Sequence, residues 1–485
     1  MPDPSFGADG VVRLDPLALS EGWAVRVLPD GRLRVAGVLD NTAVVYGFEA
    51  SGAPDAAFGV AGVASTGIVG MHAVDLLVFP SGRIVVVTRP FQGSSVAGSA
   101  LVGLRADGTL DPGFGDGGAV PSLTHWLALA ADGDGFLALG HDEASRSGAV
   151  ARFDAHGALD LSYGTDGRAR PLPDDPAYLY QTLTDIAVDA SGRAVLIGVS
   201  ALNIFDARLT AVRLLTDGAP DPDFGTDGIA RPEVYSRTPR FERTGLALDT
   251  QGRVLMTNGG AVARLDAQGL LDLTFGTQGV ARVGFDDGYS QTSRICVQPD
   301  GKIVVAGDHG TDISAGFLAA RLTSDGVLDE TFGTGGMTLL PTAGVQDYEY
   351  EWAFGLDLAP DGGIVLSGHR SRSTDSGDQL IVARLTGDVS VAHERAAGTN
   401  RMTLRRAGAN PSAAGAVALR LSVPQALRLE VYDARGRSVG VLHEGWLGAG
   451  EHAFAIGGAR APGVYVVRAV SADGPAAVVR VTVTR

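Results

Sequence analysis

The chain has 485 residues, with 39 Lys+Arg against 55 Asp+Glu and a net charge of −16. That balance argues against a nucleic-acid binder, which normally carries a basic patch. Hydrophobic residues make up 45% of the chain, enough for a packed core and too many for a disordered chain. Cys296 is the only cysteine, so no intrachain disulfide framework is possible. No run of 18 apolar residues predicts a membrane span. The opening MPDPSFGADG does not read as a signal peptide.

From the first residues onward one string returns: Asp-x-x-(Phe/Tyr)-Gly-x-x-Gly. Its copies carry Asp3, Phe6 and Gly7; Asp55, Phe58 and Gly59; Asp111, Phe114 and Gly115; and Asp160, Tyr163 and Gly164. It continues with Asp221, Phe224 and Gly225; Asp272, Phe275 and Gly276; and Asp329, Phe332 and Gly333. The aromatic positions are spaced by 52, 56, 49, 61, 51 and 57 residues, which chance does not produce.

Each copy is followed by a second string, as in VRVLPDGRLRVAG, CVQPDGKIVVAG and DLAPDGGIVLSG. Counted back from the turn glycine, positions −6 and −4 are aliphatic in every copy, from Val25 and Val27 to Leu356 and Leu358. That is a strand with one fixed buried face, and the Pro-Asp-Gly or Ala-Ser-Gly after it is a tight hairpin. The third copy, ADGDG before FLALG, has one extra residue and needs a different turn. A third string, such as AVARFDAHG or LAARLTSDG, precedes the next Asp motif and reads as a short strand ending in a turn.

Each unit therefore holds four short strands: a after the FGxxG, b before the hairpin, c after it, and d before the next Asp. Repeated four-strand units predict an all-β fold, a β-propeller, with seven blades. Strand d of the last unit ends near Asp388 without a following motif, whereas the chain begins with that element. The N-terminal strand VVRL, from Val11 to Leu14, is thus expected to complete the last blade and remove an open edge. The Asp motif reads as structural: Asp accepts backbone N–H groups in a turn, the ring is buried between blades, and the glycines supply unusual backbone angles. A cation loop is the alternative, but the acids at the variable positions differ among copies and the EF-hand pattern is absent.

These residues carry a resemblance. LDxxFGTGG, VQPDGKIVVAG and ARLxxDG together resemble the bacterial delta-60 repeat, over residues 1–388. The resemblance implies a secreted or surface propeller with no general catalytic residues to carry over.

Repeats stop at Asp388, and residues 389–415 read as a polar linker. From 389 onward Lys+Arg number 12 and Asp+Glu 6, net +6, leaving 27 against 49, net −22, for the rest. Residues 416–485 hold short alternating strands with Gly-rich turns, which suggests a small Ig-like β-sandwich. Asn410-Pro411, LEVYDARGRSV, LGAGEHAF and APGVYVVRA, with Gly463 and Tyr465, resemble the C-terminal sorting domain of the type IX secretion system. That resemblance implies the secretion machinery as a partner and a secreted or cell-surface location.

Catalytic signatures are thin. The nine histidines form no His-x-His or HExxH pair, and one cysteine gives no zinc spacing. Neither a metal site nor a cofactor is expected. Cys296 stands where other copies have Ala128, Ala187 and Ala247, so it reads as a small packing residue. No P-loop and no G-x-S-x-G is present. Paired carboxylates for hydrolysis stay open, because 55 acids allow many pairings.

One asymmetry points to a site. The b–c and d–a turns are uniform, whereas the a–b and c–d connections vary, and function usually sits on variable loops. The a–b connections carry Tyr178, Tyr180, Tyr235, Tyr289, Tyr348, Tyr350 and Trp352, joined by Phe241. Acids stand beside them: Asp174, Asp175, Glu233, Asp286, Asp287, Asp347, Glu349 and Glu351. With strand a nearest the axis, these loops would surround the channel mouth. Rings beside acids suit an extracellular glycan, a peptide or a cationic group. The competing reading is that the rings plug the ends of the blades. The expected function is non-enzymatic ligand binding, with a channel-mouth hydrolase or lyase and a purely structural module as alternatives.

Overall fold

The computed structural model describes residues 1–14, 19–91, 98–142, 145–203, 206–235, 244–284, 289–310, 315–340, 350–371, 378–387, 402–406, 416–421, 425–433, 437–447, 450–456, 463–471 and 474–483. The described residues form strands and turns and contain no helix. The chain divides into two compact units, Met1–Val391 and Ala392–Arg485.

In the first unit the repeat becomes sheets of four antiparallel strands. The first holds Ser20–Val27, Leu33–Leu39, Thr42–Phe48 and Val63–Val69 in that order. Four more follow the same plan, starting at Met71–Val78, His125–Asp132, Tyr180–Val188 and Gly245–Leu248. An eight-stranded sheet contains two further groups of four, starting at Tyr289–Val297 and Tyr350–Leu358. A single parallel pairing, Ala315 with Tyr350, joins those two groups. The last group is completed by Val11–Arg13, which pairs antiparallel with Gln379–Leu385 so that Val11 faces Ala383.

Cores lie between neighbouring groups, because a sheet can bury its faces only against another layer. Val86 and Val102 of the second group pack with Ala36 and Val45 of the first. The cycle closes where Val365, Leu380 and Val382 of the last group meet Val25, Val35 and Val44 of the first. Sheets packed face to face in a closed cycle make a β-propeller.

The strand order corrects one expectation. Each sheet runs b–c–d–a, where a is the strand after the next FGxxG. The b strands of successive groups pack against one another around the whole cycle, so b lies at the axis. Strand a, two to seven residues long, pairs only with d and forms the outer edge. Strand a is therefore not nearest the axis, and an a–b connection runs from the rim of one sheet to the centre of the next. Alternating hydrophobicity reports which face of a strand is buried, but not which edge of a sheet is central.

The third hairpin differs as its extra residue requires. Asp132 pairs with Gly135 around a two-residue turn at Gly133 (φ +62) and Asp134, whereas Val27 pairs with Leu33 across a longer loop.

The second unit holds two antiparallel sheets. One orders Met402–Arg406, Ala416–Leu421 and Gly450–Ala455; the other orders Ser438–Leu447, Gln425–Asp433, Gly463–Ser471 and Gly474–Val483. Both contribute to one core that includes Leu419, Leu429, Val431, Tyr465 and Val467. Met402–Arg406 lies inside the stretch 389–415 expected as a linker and pairs Leu404 with Leu419. The second unit therefore starts earlier than residue 416. Asn410 and Pro411 lie outside the described residues.

Candidate functional site

The two faces of the propeller unit differ in chemistry. On the hairpin face, each motif Asp accepts the backbone N–H two residues on, from Ser5 N at 2.9 Å on Asp3 to Thr331 N at 3.1 Å on Asp329. The same carboxylates hold cations. Asp221 pairs with Arg213 at 2.6 Å and Arg193 at 3.2 Å, and Asp329 with Arg321 at 2.8 Å and Lys302 at 3.0 Å. Asp272 holds Arg264 at 2.8 Å, Asp3 holds Arg384 at 3.1 Å, and Asp55 holds Arg34 at 2.9 Å. Arg34, Arg213, Arg264 and Arg321 also cover motif rings, as Arg34 covers Phe58 at 4.0 Å and Arg321 covers Phe332 at 4.9 Å. Burial raises the carboxyl pKa of Asp3, Asp221, Asp272 and Asp329, but turn hydrogen bonds and these cations outweigh it and hold all four below the ordinary carboxylate value.

The motif glycines tie neighbouring groups together. Gly59 N–H donates to Asp107 O, and Gly225 N–H to Gln268 O, both at 2.7 Å and both in the turn of the next unit. Gly59 has φ +58, and an added Cβ would stand 2.1 Å from Val63 O. Sequence reading missed the arginine half of this device. Its signal was present in the Arg of AVARF, AVRLL, AVARL and LAARL, and in the basic residue after most hairpin glycines.

The opposite face carries the variable connections. There the expected aromatic residues fall into separate places. Tyr178 lies under Arg231 at 4.9 Å, and Tyr235, 44% exposed, under Arg208 at 5.1 Å. Tyr180 packs against the core of the fourth and fifth groups, and burial pushes its phenol up to about 12. Asp175 caps its own turn by accepting Ala177 N–H at 2.9 Å, while Asp174 and Glu233 are exposed. Tyr350 and Trp352 stack on the last group, with centroids 6.0 Å apart. Tyr178, Tyr180 and Tyr235 thus belong to the fourth and fifth groups, and Tyr350 and Trp352 to the last. Glu351 is not available to a ligand: it is 1% exposed and bound to Arg370 at 2.7 Å. Tyr348, Phe241, Asp286, Asp287, Asp347 and Glu349 lie outside the described residues, and only the strand backbone of Tyr289 is described.

A different cluster emerges on this face, at the seam where the last group meets the first and second. Six of the seven b strands carry a β-bulge, a distortion that re-aims a side chain. In the first and last groups the bulged residues are Trp23 and Phe354, with rings 4.4 Å apart. From them an arc of rings extends both ways. His369 stacks on Phe354 at 5.1 Å and meets Trp352 edge-on at 5.5 Å. His72 meets Trp23 at 5.3 Å and Phe91 at 4.0 Å.

Two carboxyls stand within the arc. Glu21 Oε2 accepts Trp23 Nε1–H at 2.7 Å and lies 2.9 Å from His72 Nδ1. Asp378 Oδ2 is 3.9 Å from His369 Nε2, and its backbone carbonyl accepts Ser20 N–H at 2.9 Å. The two acids split in acidity. Burial raises Glu21, but the hydrogen bond and charge of His72, the charge of His369 and the Trp23 indole bring it below the ordinary value. Burial raises Asp378, the charge of His369 and a hydrogen bond with Ser371 oppose it, and the neighbouring Glu21 carboxylate adds to it, so the two carboxyls are shifted in opposite directions.

The axis carries further acids on strand b. Asp75, Asp185 and Asp357 accept backbone N–H groups of another group's b strand, from Leu129 at 2.8 Å, Leu246 at 3.0 Å and Val27 at 2.7 Å. These carboxylates stitch the centre together. Burial raises the Cys296 thiol, opposite to what a nucleophile needs. Among the described residues no group of three or more His, Cys, Asp and Glu side chains is arranged to hold a metal ion. No described helix is long and apolar enough to cross a membrane.

Residues 80–114 and 298–332 match a family described as a β-propeller domain of unknown function, DUF5122. Both segments run from a hairpin turn through strands c and d to the motif aromatic residue. No curated protein sequence matches the chain. Among solved structures, prolyl oligopeptidase B from Galerina marginata is similar at a TM-score of 0.42 and 11% identity, over 84% of this chain and 55% of that one. A gluconolactonase from Xanthomonas campestris is similar at 0.36 and 15%, over 77% of this chain and 100% of that one. A calcium-binding protein, regucalcin, from Agrobacterium tumefaciens is similar at 0.27 and 12%, over 59% and 68%. The chain spans about half the length of the oligopeptidase, and none of these likenesses is close enough to transfer an activity.

Proposed function

We propose that residues 1–388 form a seven-bladed propeller of the delta-60 repeat kind that binds an extracellular glycan or peptide without catalysis. The observation that carries this reading is the arc of Trp23, Phe354, His369, Trp352, His72 and Phe91 on the variable-loop face. Large rings offer contact area at low entropic cost, and the bulges aim two of them toward each other rather than into a sheet core. The variable loops beside the arc supply specificity and the uniform hairpin face supplies rigidity.

The second unit serves in this reading as an Ig-like sorting domain of the type IX secretion system, which delivers the propeller outside the cell. Its basic balance, against the acidic first unit, and its Gly-Val-Tyr strand with Tyr465 in the core support that role. Removing residues 392–485 in a host with that system, behind a leader for the inner membrane, should leave the propeller in the periplasm. Unchanged secretion would end the sorting role.

The binding test is a glycan and peptide array probed with the full chain. Trp352→Ala should abolish the signal at an unchanged melting temperature. Lost stability with intact binding of the folded fraction would instead make the arc a plug. A propeller hydrolase is the second reading, favoured by the split acidity of Glu21 and Asp378, since groups pushed apart in pKa supply an acid and a base. Turnover of an arrayed ligand that Glu21→Gln abolishes would establish it.

A further inference from the structure

Resting on that binding reading, we infer that the ligand group taken at the seam is an organic cation, a primary ammonium or a guanidinium, seated between the ring arc and the carboxyls of Asp378 and Glu21. Elsewhere in the chain several buried acids are met by arginine. Asp55, Asp221, Asp329 and Glu351 are all under a tenth exposed, and each faces an arginine within 3 Å. A buried carboxylate without a cation is costly, and the group protonates instead.

At the seam the pattern breaks. Glu21 is 7% exposed, and its carboxylate interacts with that of Asp378. The charged groups that most favour ionisation of the two carboxyls are the imidazoles of His72 and His369, and Asp378 also hydrogen-bonds Ser371. Arg370, the nearest guanidinium in sequence to His369, is bound to Glu351. Imidazoles thus stand at the seam where guanidinium groups stand at the hairpin face. A ligand ammonium brought against Asp378 donates N–H to the carboxylate oxygens, and any proton they hold leaves to solvent.

The surroundings suit a cation rather than a neutral hydroxyl group. Trp23 donates its indole N–H to Glu21 and packs against Phe354, while His369, beside Asp378, meets both Phe354 and Trp352; a cation on such a ring face is favoured. Glu21 Oε2 is already taken by the Trp23 indole and His72, which fixes the carboxylate. Asp378 keeps about a quarter of its side chain exposed, so it is the member of the pair that a ligand can reach. It also borders the c–d connection of the last group, one of the variable loops that distinguish this face.

The chemistry has two sources, a lysine or arginine side chain and an amino sugar, and the experiment separates them. The full chain is titrated with a lysine-containing peptide and with a glucosamine oligomer, each compared with its N-acetylated form. At least one amine probe should bind tenfold or more tighter than its acetylated form. Asp378→Asn should abolish that preference while leaving the melting temperature within a few degrees. Glu21→Gln serves as the second variant if Asp378→Asn fails to fold. Equal affinity for amine and acetylated forms, with binding still dependent on Trp352, would overturn the cation inference and leave the binding reading standing. An amine preference that survives Asp378→Asn and Glu21→Gln would also overturn it. Absence of binding by every charged and neutral probe would remove both.

Discussion

The hairpin face and the seam bury acids in opposite ways. At the hairpin face Asp221, Asp272 and Asp329 meet guanidinium groups, accept turn N–H bonds and sit beside a ring that the same arginine covers. At the seam Glu21 and Asp378 meet each other and two imidazoles. The first arrangement is self-contained and recurs along the chain. The second departs from that pattern, with imidazoles where the hairpin face has guanidinium groups. Repetition therefore marks what holds this fold together, and the departure from it marks what the fold presents.

The contrast breaks most easily on the hairpin side. Phe224 is fully buried between neighbouring groups, under the turn glycine Gly269. Phe224→Ala should cost about 3–5 kcal/mol in urea unfolding, the range for a buried aromatic truncated to a cavity. Arg321→Ala leaves Asp329 buried without its main partner and should cost about 3 kcal/mol, softened by Lys302 at 3.0 Å. Gly276→Ala places a Cβ 2.4 Å from Val280 O at φ +55, which should cost about 1–3 kcal/mol. A loss below 1 kcal/mol in Phe224→Ala would show that the motif rings do not hold neighbouring sheets together.

The smallest effect sharpens the comparison, because its sign reverses between the two regions. Asp221, Asp272 and Asp329 have folded pKa values below the unfolded one. Their contribution is complete above the unfolded carboxylate pKa and is lost as pH falls through the folded values. Asp378 has a raised folded pKa, so its contribution is complete below the unfolded value and is lost as pH rises through the folded one. Melting temperatures of the chain and of Asp378→Asn, followed from pH 4 to 8, should converge at the acid end and differ in slope above it. Parallel curves would mean that Asp378 titrates as an ordinary surface acid.

Much of the fold was legible because it is periodic. The spacing of Phe6, Phe58 and their successors set out the units, and the paired aliphatics before each hairpin glycine placed strand b. The pairing of Val11 with Ala383 follows the phase of the repeat. The radial order was hidden, since the hydrophobic pattern of a strand does not say which edge of its sheet faces the axis. The site was hidden for another reason. Glu21, Trp23 and His72 stand near one end of the propeller repeats and Phe354, His369 and Asp378 near the other, and only closure of the cycle brings them together. A search for histidines close in sequence passes over such a set. The tyrosines that composition favoured became ring-on-arginine contacts and packing, as Tyr235 on Arg208 and Tyr180 in its core show.

A cation site at the seam requires that Asp378 hold its proton to higher pH than an ordinary carboxylate. Carboxyl-carbon NMR of the full chain, labelled at aspartate and assigned with Asp378→Asn, reads it directly. The account predicts a titration midpoint well above the ordinary carboxylate value of about 3.9, moving down when a lysine peptide or a glucosamine oligomer is added. A midpoint at the ordinary value, unmoved by either probe, would contradict it.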